Sequence, residues 1–138
     1  MKKVTLLLVV IFCLGLAGCS KDGEINAFIT EFDSTTKELV SKIDADPTAA
    51  GIDAAQKSFD GKKASLKAKW DAIKDAVGFQ VSADVKKKLE DTVKSNMQNL
   101  VDVSTKHAMT IASDAEAEKK FTKLLNDYQA MFAEEKGK

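Results

Sequence analysis

The chain has 138 residues, and its composition and charge exclude several classes of function before any motif is considered. Its 21 basic residues are all lysines, and they balance 21 acidic residues. Because proteins that bind nucleic acid usually carry an excess of positive charge, this balance argues against a nucleic-acid partner. Arginine supplies the usual bidentate clamp for carboxylate or phosphate, so its absence argues mildly against a dedicated anion site.

The first 20 residues have the layout of a secretory signal. Two lysines precede an apolar stretch, residues 4–14, that is too short to persist as a membrane span. Small residues and a cysteine follow, and the run Leu16-Ala17-Gly18-Cys19 resembles the lipobox of bacterial lipoprotein precursors. The position of the cysteine distinguishes this pattern from an ordinary cleaved signal.

The resemblance implies a lipid anchor. Lipoprotein signal peptidase would recognise Leu16, Ala17 and Gly18 and cleave before Cys19, once a diacylglyceryl group has been added to the cysteine sulfur. One acyl chain gives only marginal attachment, at about 0.8 kcal/mol for each buried methylene, so the second chain is needed for a stable anchor. Members of the class commonly carry a third chain, such as palmitate, on the new amino terminus. By the sorting rule of enteric lipoproteins, Ser20 points to the periplasmic face of the outer membrane.

Cleavage would leave one domain. Removal of the signal peptide, residues 1–18, leaves 120 residues, which is enough for one hydrophobic core. We expect residues 19–23 to form the acylated amino terminus and a short tether, and residues 24–136 to form a helical bundle. Cys13 would leave with the signal and Cys19 would be acylated, so no thiol remains for a disulfide or a thiolate metal site.

The spacing of apolar residues at three and four positions, with only one proline, predicts an all-α fold. The first predicted helix, roughly 24–45, has a plausible cap at Asp22 and ends near Pro47. The second helix, roughly 52–77, is weakened at Gly61, which marks a site for a kink. We expect these two helices to bury Ile25, Phe28, Ile29, Phe32, Thr36, Leu39, Val40 and Ile43, and Ile52, Ala55, Phe59, Leu66, Trp70, Ile73 and Val77, respectively.

The second half of the chain predicts one or two further helices. Gly78 supplies a stop, Ser82 caps a third helix that runs on to about residue 111, and Ser113 with Glu116 forms a capping box for a fourth. Comparable lengths and short joints favour an up-and-down four-helix bundle. Since no glycine or proline separates the last two segments, a three-helix bundle with a long C-terminal helix is the alternative. The expected buried residues are Val85, Leu89, Val93, Met97, Leu100 and Val103 in the third segment, and Ala117, Phe121, Leu124, Leu125, Tyr128, Met131 and Phe132 in the fourth.

The charged residues follow a pattern that is typical of solvated helix faces. Seven pairs between residues 33 and 120 place an acidic residue four positions before a lysine, which is the favourable order for an ion pair on a helix surface. Lys86, Lys87 and Lys88 could contact lipid phosphates, but neighbouring acids make this a weak patch. The seven pairs are Asp33 with Lys37, Glu38 with Lys42, Asp53 with Lys57, Asp84 with Lys88, Glu90 with Lys94, Asp102 with Lys106, and Glu116 with Lys120.

Few residues are suited to catalysis or cofactor binding. His107 is the only histidine, and Met97 and Met109 lie near it in sequence, which is the axial pair that some haem-binding bundles use. The chain lacks a Cys-x-x-Cys-His motif for covalent haem and a Glu-x-x-His pair for di-iron chemistry. It also lacks a Gly-x-Ser-x-Gly nucleophile and a phosphate loop. We therefore expect no enzyme activity, no metal and no cofactor.

Two functional hypotheses remain. The favoured one is a non-catalytic lipoprotein of the cell envelope, held to the membrane by its lipid and acting through an unidentified envelope protein or as a structural component. The alternative is a binding protein for an apolar small ligand or haem held between the helices. A cavity lined by Phe28, Phe59, Trp70 or His107 would be its distinguishing sign.

Overall fold

The computed structural model describes residues 21–77 and 81–132, and these residues confirm the all-α fold class. Over these two ranges the secondary structure consists of helices and turns, with no strand. The predicted signal peptide, the lipobox and Cys19 lie outside the described residues. The five helices are α1 (Asp22–Ala45), α2 (Ala49–Ile73), α3 (Ala83–Lys106), α4 (Ala108–Ala112) and α5 (Ala115–Ala130).

Helix α1 begins two residues earlier than predicted. Asp22 is its first residue rather than its cap, because the carbonyl of Lys21 accepts the hydrogen bond from the Ile25 N–H at 2.9 Å. The helix thus includes two of the residues that the sequence assigned to the tether. At the other end, Asp46 closes the turn to α2 by accepting hydrogen bonds from the hydroxyl of Thr48 at 2.6 Å and from its N–H at 3.1 Å.

The start of α2 requires a glycine. A Cβ atom at Gly51 would lie 1.9 Å from the carbonyl oxygen of Asp46, so a larger residue would push the turn away from the helix. Helix α2 then runs through Gly61 without a break in helical structure. Phe59 and Leu66 are fully buried on either side of this glycine, and their packing outweighs its low helix propensity of about 1 kcal/mol.

The structure corrects the predicted helix boundaries in the second half of the chain. Ser82 caps α3 as predicted, but α3 ends at Lys106 and not near residue 111. The backbone of His107 leaves helical geometry, and the five-residue α4 follows. The predicted cap at Ser113 is wrong: Asp114 caps α5, because its carboxylate accepts hydrogen bonds from the N–H groups of the second and third helical residues. The Ser113 hydroxyl instead donates to the carbonyl of Thr110 at 2.9 Å.

Contacts between helices show which ends lie together. The N–H of Ser82 donates to Asp22 Oδ1 at 2.9 Å, so α3 begins beside the start of α1. Lys106 Nζ lies 2.5 Å from Asp44 Oδ1, so α3 finishes beside the end of α1 and the two helices are parallel. We call the end with the starts of α1 and α3 the lower end, and the opposite end the upper end.

Helices α2 and α5 run in the opposite direction. Helix α2 follows α1 after a turn of three residues, 46–48, and the Trp70 ring near its finish lies 5.6 Å from the Phe28 ring near the start of α1. The Phe132 ring, just beyond α5, lies 6.4 Å from the same Phe28 ring. Both helices therefore finish toward the lower end. Helix α1 packs against α2 and α3, and α2 packs against α5.

The predicted buried stripes are confirmed. Each predicted stripe residue is either buried or partly buried and packed against one core. Aromatic rings form much of this core: the Phe32 ring lies 5.4 Å from that of Tyr128 and 5.3 Å from that of Phe132. The Tyr128 hydroxyl is 2.6 Å from Thr36 Oγ1, so the one polar atom of this buried ring is satisfied. Burial raises the pKa of Tyr128.

Candidate functional site

Helices α1 and α3 leave an open groove between them, with a volume of about 840 Å³. Four hydroxyl side chains line it, Thr30 and Ser34 on α1 and Thr92 and Ser95 on α3. The buried Ile29 contributes the remaining small exposed part of its side chain. Ligand pockets for apolar molecules are usually enclosed and mostly apolar. The groove between α1 and α3 is open, and its lining residues are mostly polar or charged, with their carbon atoms supplying much of the surface, so it suits the surface of a larger molecule better than an enclosed apolar ligand.

Charges of both signs complete the groove. Asp33 and Lys37 form an ion pair of 2.7 Å on α1, and Lys87 and Asp91 form one of 2.6 Å on α3. The hydrogen bond that Lys87 donates to Asp91 raises the pKa of Lys87, so this lysine stays protonated well above neutral pH. The walls therefore present a fixed pattern of paired charges rather than a field of one sign, and such a pattern favours specificity over long-range attraction.

Lys88, which also lines the groove, has a different partner from the one predicted. Its ammonium donates to Asn26 Oδ1 at 3.0 Å, across the α1–α3 interface, whereas the sequence suggested Asp84 four positions before it. Helix pairing at four positions gives only a few tenths of a kcal/mol, so a partner on the neighbouring helix easily competes with it. Lys88 therefore links α3 to α1 through this hydrogen bond.

A second polar cluster lies at the upper end. Asp44 on α1 accepts a hydrogen bond from Lys106 at 2.5 Å, and its Oδ1 lies 2.7 Å from His107 Nε2. Both contacts lower the pKa of Asp44, and the hydrogen bond from Lys106 has the larger effect. The predicted partner of Lys106, Asp102, accepts a hydrogen bond from Gln98 at 2.7 Å instead. The only histidine is thus held by a carboxylate where α3 ends, as expected for a structural residue.

The residues that the ligand hypothesis named do not converge on a site. Met97 lies ten residues before His107, which is about 15 Å along a helix, so the two cannot bind one iron. The side chain of Met109 is 88% exposed. Phe28 packs on the Trp70 ring at 5.6 Å, and Phe59 packs on Tyr128 at 5.7 Å. These aromatic side chains fill the core.

Two buried amides were missed by the sequence analysis. Asn96 is fully buried on α3, and neither its Oδ1 nor its Nδ2 has a hydrogen-bond partner among the described residues. Gln56 donates to Asp60 at 2.8 Å and to Asp127 at 3.0 Å, but its Oε1 has no partner in the same part of the chain. The signal for Asn96 was its place in the stripe, seven residues after Leu89 and four before Leu100.

Comparison with known proteins does not assign a function. No family model, no curated protein and no solved structure matches this chain. Within residues 21–77 and 81–132, no three His, Cys, Asp or Glu side chains are grouped closely enough to hold a metal ion. None of the helices described here is both long and apolar enough to span a bilayer. Function is therefore inferred from the amino-terminal sequence and from the surface.

Proposed function

We propose that the chain is the precursor of a lipid-anchored lipoprotein of the bacterial cell envelope. Its helical domain acts without catalysis, by binding another envelope component or by ordering the envelope. The run Leu16-Ala17-Gly18-Cys19 behind an apolar stretch carries the proposal. A lipid tether confines the domain to a surface and raises its concentration near membrane partners, so a weak binding surface becomes sufficient. With Ser20 after the cysteine, we place the protein on the periplasmic face of the outer membrane.

We further propose that the domain is an up-and-down four-helix bundle. Its members are α1, α2, α3 and α5, and α4 is a single short piece of helix within the connection between α3 and α5. The alternating directions of the four long helices and their shared core support this description. The breaks at His107 and Asp114 argue against the alternative, in which one long helix would replace the last two.

The chain offers a matched pair of substitutions for the anchor. Cys19→Ala should abolish lipid addition and the cleavage that follows it, so that intact mass shows no acyl chains and residues 1–18 still attached. Cys13→Ala removes the other cysteine, which lies within the signal, and should leave acylation unchanged. A Cys19→Ala protein whose mass differs from that of the unmodified protein only by the replaced side chain would refute the proposed anchor. Ser20→Asp tests the location, because it should move the protein from the outer to the inner membrane of an enteric host.

The groove between α1 and α3 is the surface that we propose for partner binding. Exchanging the charges of one ion pair, Asp33→Lys with Lys37→Asp, inverts the pattern on the α1 wall but leaves an ion pair of the same kind. Glu38→Lys with Lys42→Glu makes the same change on another face of α1, where this pair lies 3.8 Å apart. Both variants should fold with similar stability, since exposed pairs contribute only about 0–1 kcal/mol.

Photo-crosslinking in cells then separates the two faces. A crosslinking residue at Ser34, in the groove, should trap a defined partner in the unmodified background and lose it in the Asp33/Lys37 exchange. The Glu38/Lys42 exchange should keep the crosslink. Equal loss in both exchanges, or no effect in either, would exclude the groove as the binding surface.

A further inference from the structure

We infer that the domain stands end-on at the membrane, with its lower end against the lipid headgroups and its upper end directed into the aqueous compartment. This inference rests on the lipid attachment proposed for Cys19, and it adds an orientation that the attachment alone does not define. The membrane surface is the occupant that the lower end fits. Two independent features support it: the length of chain before α1, and the distribution of partly buried apolar side chains.

The chain between the anchor and the domain is too short for free rotation of the domain. Cys19 is two residues before Lys21, and consecutive Cα atoms are 3.8 Å apart, so the two Cα atoms are separated by at most about 8 Å. Lys21 already accepts the first helical hydrogen bond of α1. Helix α1 has 24 residues and is therefore about 36 Å long. Only the lower end lies within reach of the lipid-bearing residue, and the upper end lies a full helix length away.

The lower end also carries apolar surface suited to a membrane interface. Val77, Val81 and Val85, around the connection from α2 to α3, are partly exposed while they pack against the core. Trp70 is partly exposed near the finish of α2, and indole rings favour the boundary between lipid and water. The upper end also exposes apolar side chains, Met109 on α4 and Val101 near the finish of α3, so the lower end is distinguished by its group of three valines and an indole ring.

The charges of the lower end do not by themselves attract anionic lipid. Ion pairs or hydrogen bonds engage several of its lysines: Lys21 with Glu24 at 2.9 Å, Lys74 with Asp71 at 3.3 Å, and Lys87 with Asp91 at 2.6 Å. Among the described residues near this end of α1, α2 and α3, seven acidic residues stand against five lysines, so we assign the orientation to the acyl chains and apolar contacts. These described residues are Lys21, Lys74, Lys86, Lys87 and Lys88, with Asp22, Glu24, Asp71, Asp75, Asp84, Glu90 and Asp91.

The orientation sets the position of the groove relative to the membrane. Ile29 and Lys37, which mark its two ends on α1, lie seven and fifteen residues after Asp22, or about 10 and 22 Å along the helix axis. In the end-on position the groove opens sideways, close to the membrane surface. The groove is therefore within reach of a partner that is itself bound to the membrane.

Site-specific fluorescence tests the orientation with the lipidated full-length mature protein. Cys19 is blocked by its thioether in that protein, so one added cysteine is the only free thiol. Exposed alanines are available at both ends: Ala72 and Ala83 at the lower end, Ala45 and Ala50 at the upper end. Each is changed to cysteine, labelled with a fluorophore and placed in phosphatidylcholine vesicles that contain a headgroup nitroxide lipid. The same labelled proteins in vesicles without nitroxide give the reference intensity.

We expect strong quenching at both lower-end positions and intensity near the reference at both upper-end positions. About 1 M salt screens most electrostatic attraction to the headgroups. Because acyl chains and apolar contacts hold the orientation, the difference in quenching should not change at this salt concentration. Equal quenching at all four positions, or stronger quenching at the upper end, would overturn the end-on orientation. Intact mass of the same preparation distinguishes the two failures. Acyl chains with equal quenching refute only the orientation, whereas their absence refutes the proposed anchor and the orientation together.

Discussion

The buried amide of Asn96 leads to a prediction that runs against the usual effect of core substitutions. Asn96 is fully buried on α3, and its two polar amide atoms have no hydrogen-bond partner among the described residues. A buried donor or acceptor without a partner costs about 1–3 kcal/mol, because it gives up its hydrogen bonds to water. Leucine has the same number and branching of side-chain heavy atoms as asparagine, is somewhat larger, and has no polar atom. We therefore expect Asn96→Leu to stabilise the domain, by about 1–3 kcal/mol.

Chemical and thermal unfolding measure this effect. For a domain of this size, 1 kcal/mol corresponds to a shift in Tm of roughly 3–6 °C. The urea midpoint, followed by far-ultraviolet circular dichroism on the chain from Lys21 onward, should rise while the denaturant slope stays constant. Asn99→Leu is the matched control, since it makes the same change three residues later on α3 at a half-buried position. Its effect should stay within about 0.5 kcal/mol, as for most surface substitutions.

A loss of stability in Asn96→Leu would refute this reasoning. It would mean either that the amide makes hydrogen bonds in solution or that the core has no room for the larger leucine side chain. Asn96→Ala separates the two explanations further, because it also removes the amide but leaves a cavity, so it should be less stable than Asn96→Leu by a cavity cost.

Three further predictions concern the core, acid stability and the histidine. Leu124→Ala should lower the free energy of unfolding by about 2–5 kcal/mol in urea denaturation, because Leu124 is fully buried; a change below 1 kcal/mol would contradict its place in the core. The hydrogen bond from Lys69 holds the pKa of Glu31 below its ordinary value of 4.5, and the hydrogen bond from Lys123 holds the pKa of Asp127 below its ordinary value of 3.8. The unfolded chain therefore binds protons at a higher pH than the folded chain does. Stability should therefore be fully present above about pH 5 and fall as the pH drops through 4.5 and below, and a urea midpoint that stays constant down to pH 3 would contradict it. His107→Ala should leave partner crosslinking at the groove unchanged, and loss of that crosslink with unchanged stability would give the histidine a functional role.

The sequence determined the helices because helix formation depends on neighbours within four residues. The stripe from Ile25 to Ile43 repeats every three or four positions, and all of its members are buried or partly buried. The Ser82 cap was likewise readable, since serine is a preferred residue at the cap position and an acidic residue, Asp84, follows in the first turn. The lipobox pattern is also a local one, and the lipid anchor that it predicts is left to experiment.

Sequence reasoning was less accurate where two local solutions compete. Ser113 and Asp114 both precede the last helix, and either side chain could satisfy its free N–H groups. The structure has Asp114 as the cap, and Ile111 and Ala117, on either side of this turn, are buried in the core. Gly61 shows the opposite case, in which tertiary packing keeps a weak local signal from interrupting the helix.

Only the tertiary structure decided which helices lie side by side. Lys106 and Asp44 are 62 residues apart in the chain, and so are Lys88 and Asn26, yet these contacts align α3 beside α1. No local pattern encodes this pairing, because it depends on how the connections fold back and on which stripes fit together. The groove, the unpaired amide of Asn96 and the common lower end of the four long helices all follow from that pairing. They arise from contacts between residues far apart in sequence, whereas hydrophobic periodicity records only which face of each helix is buried.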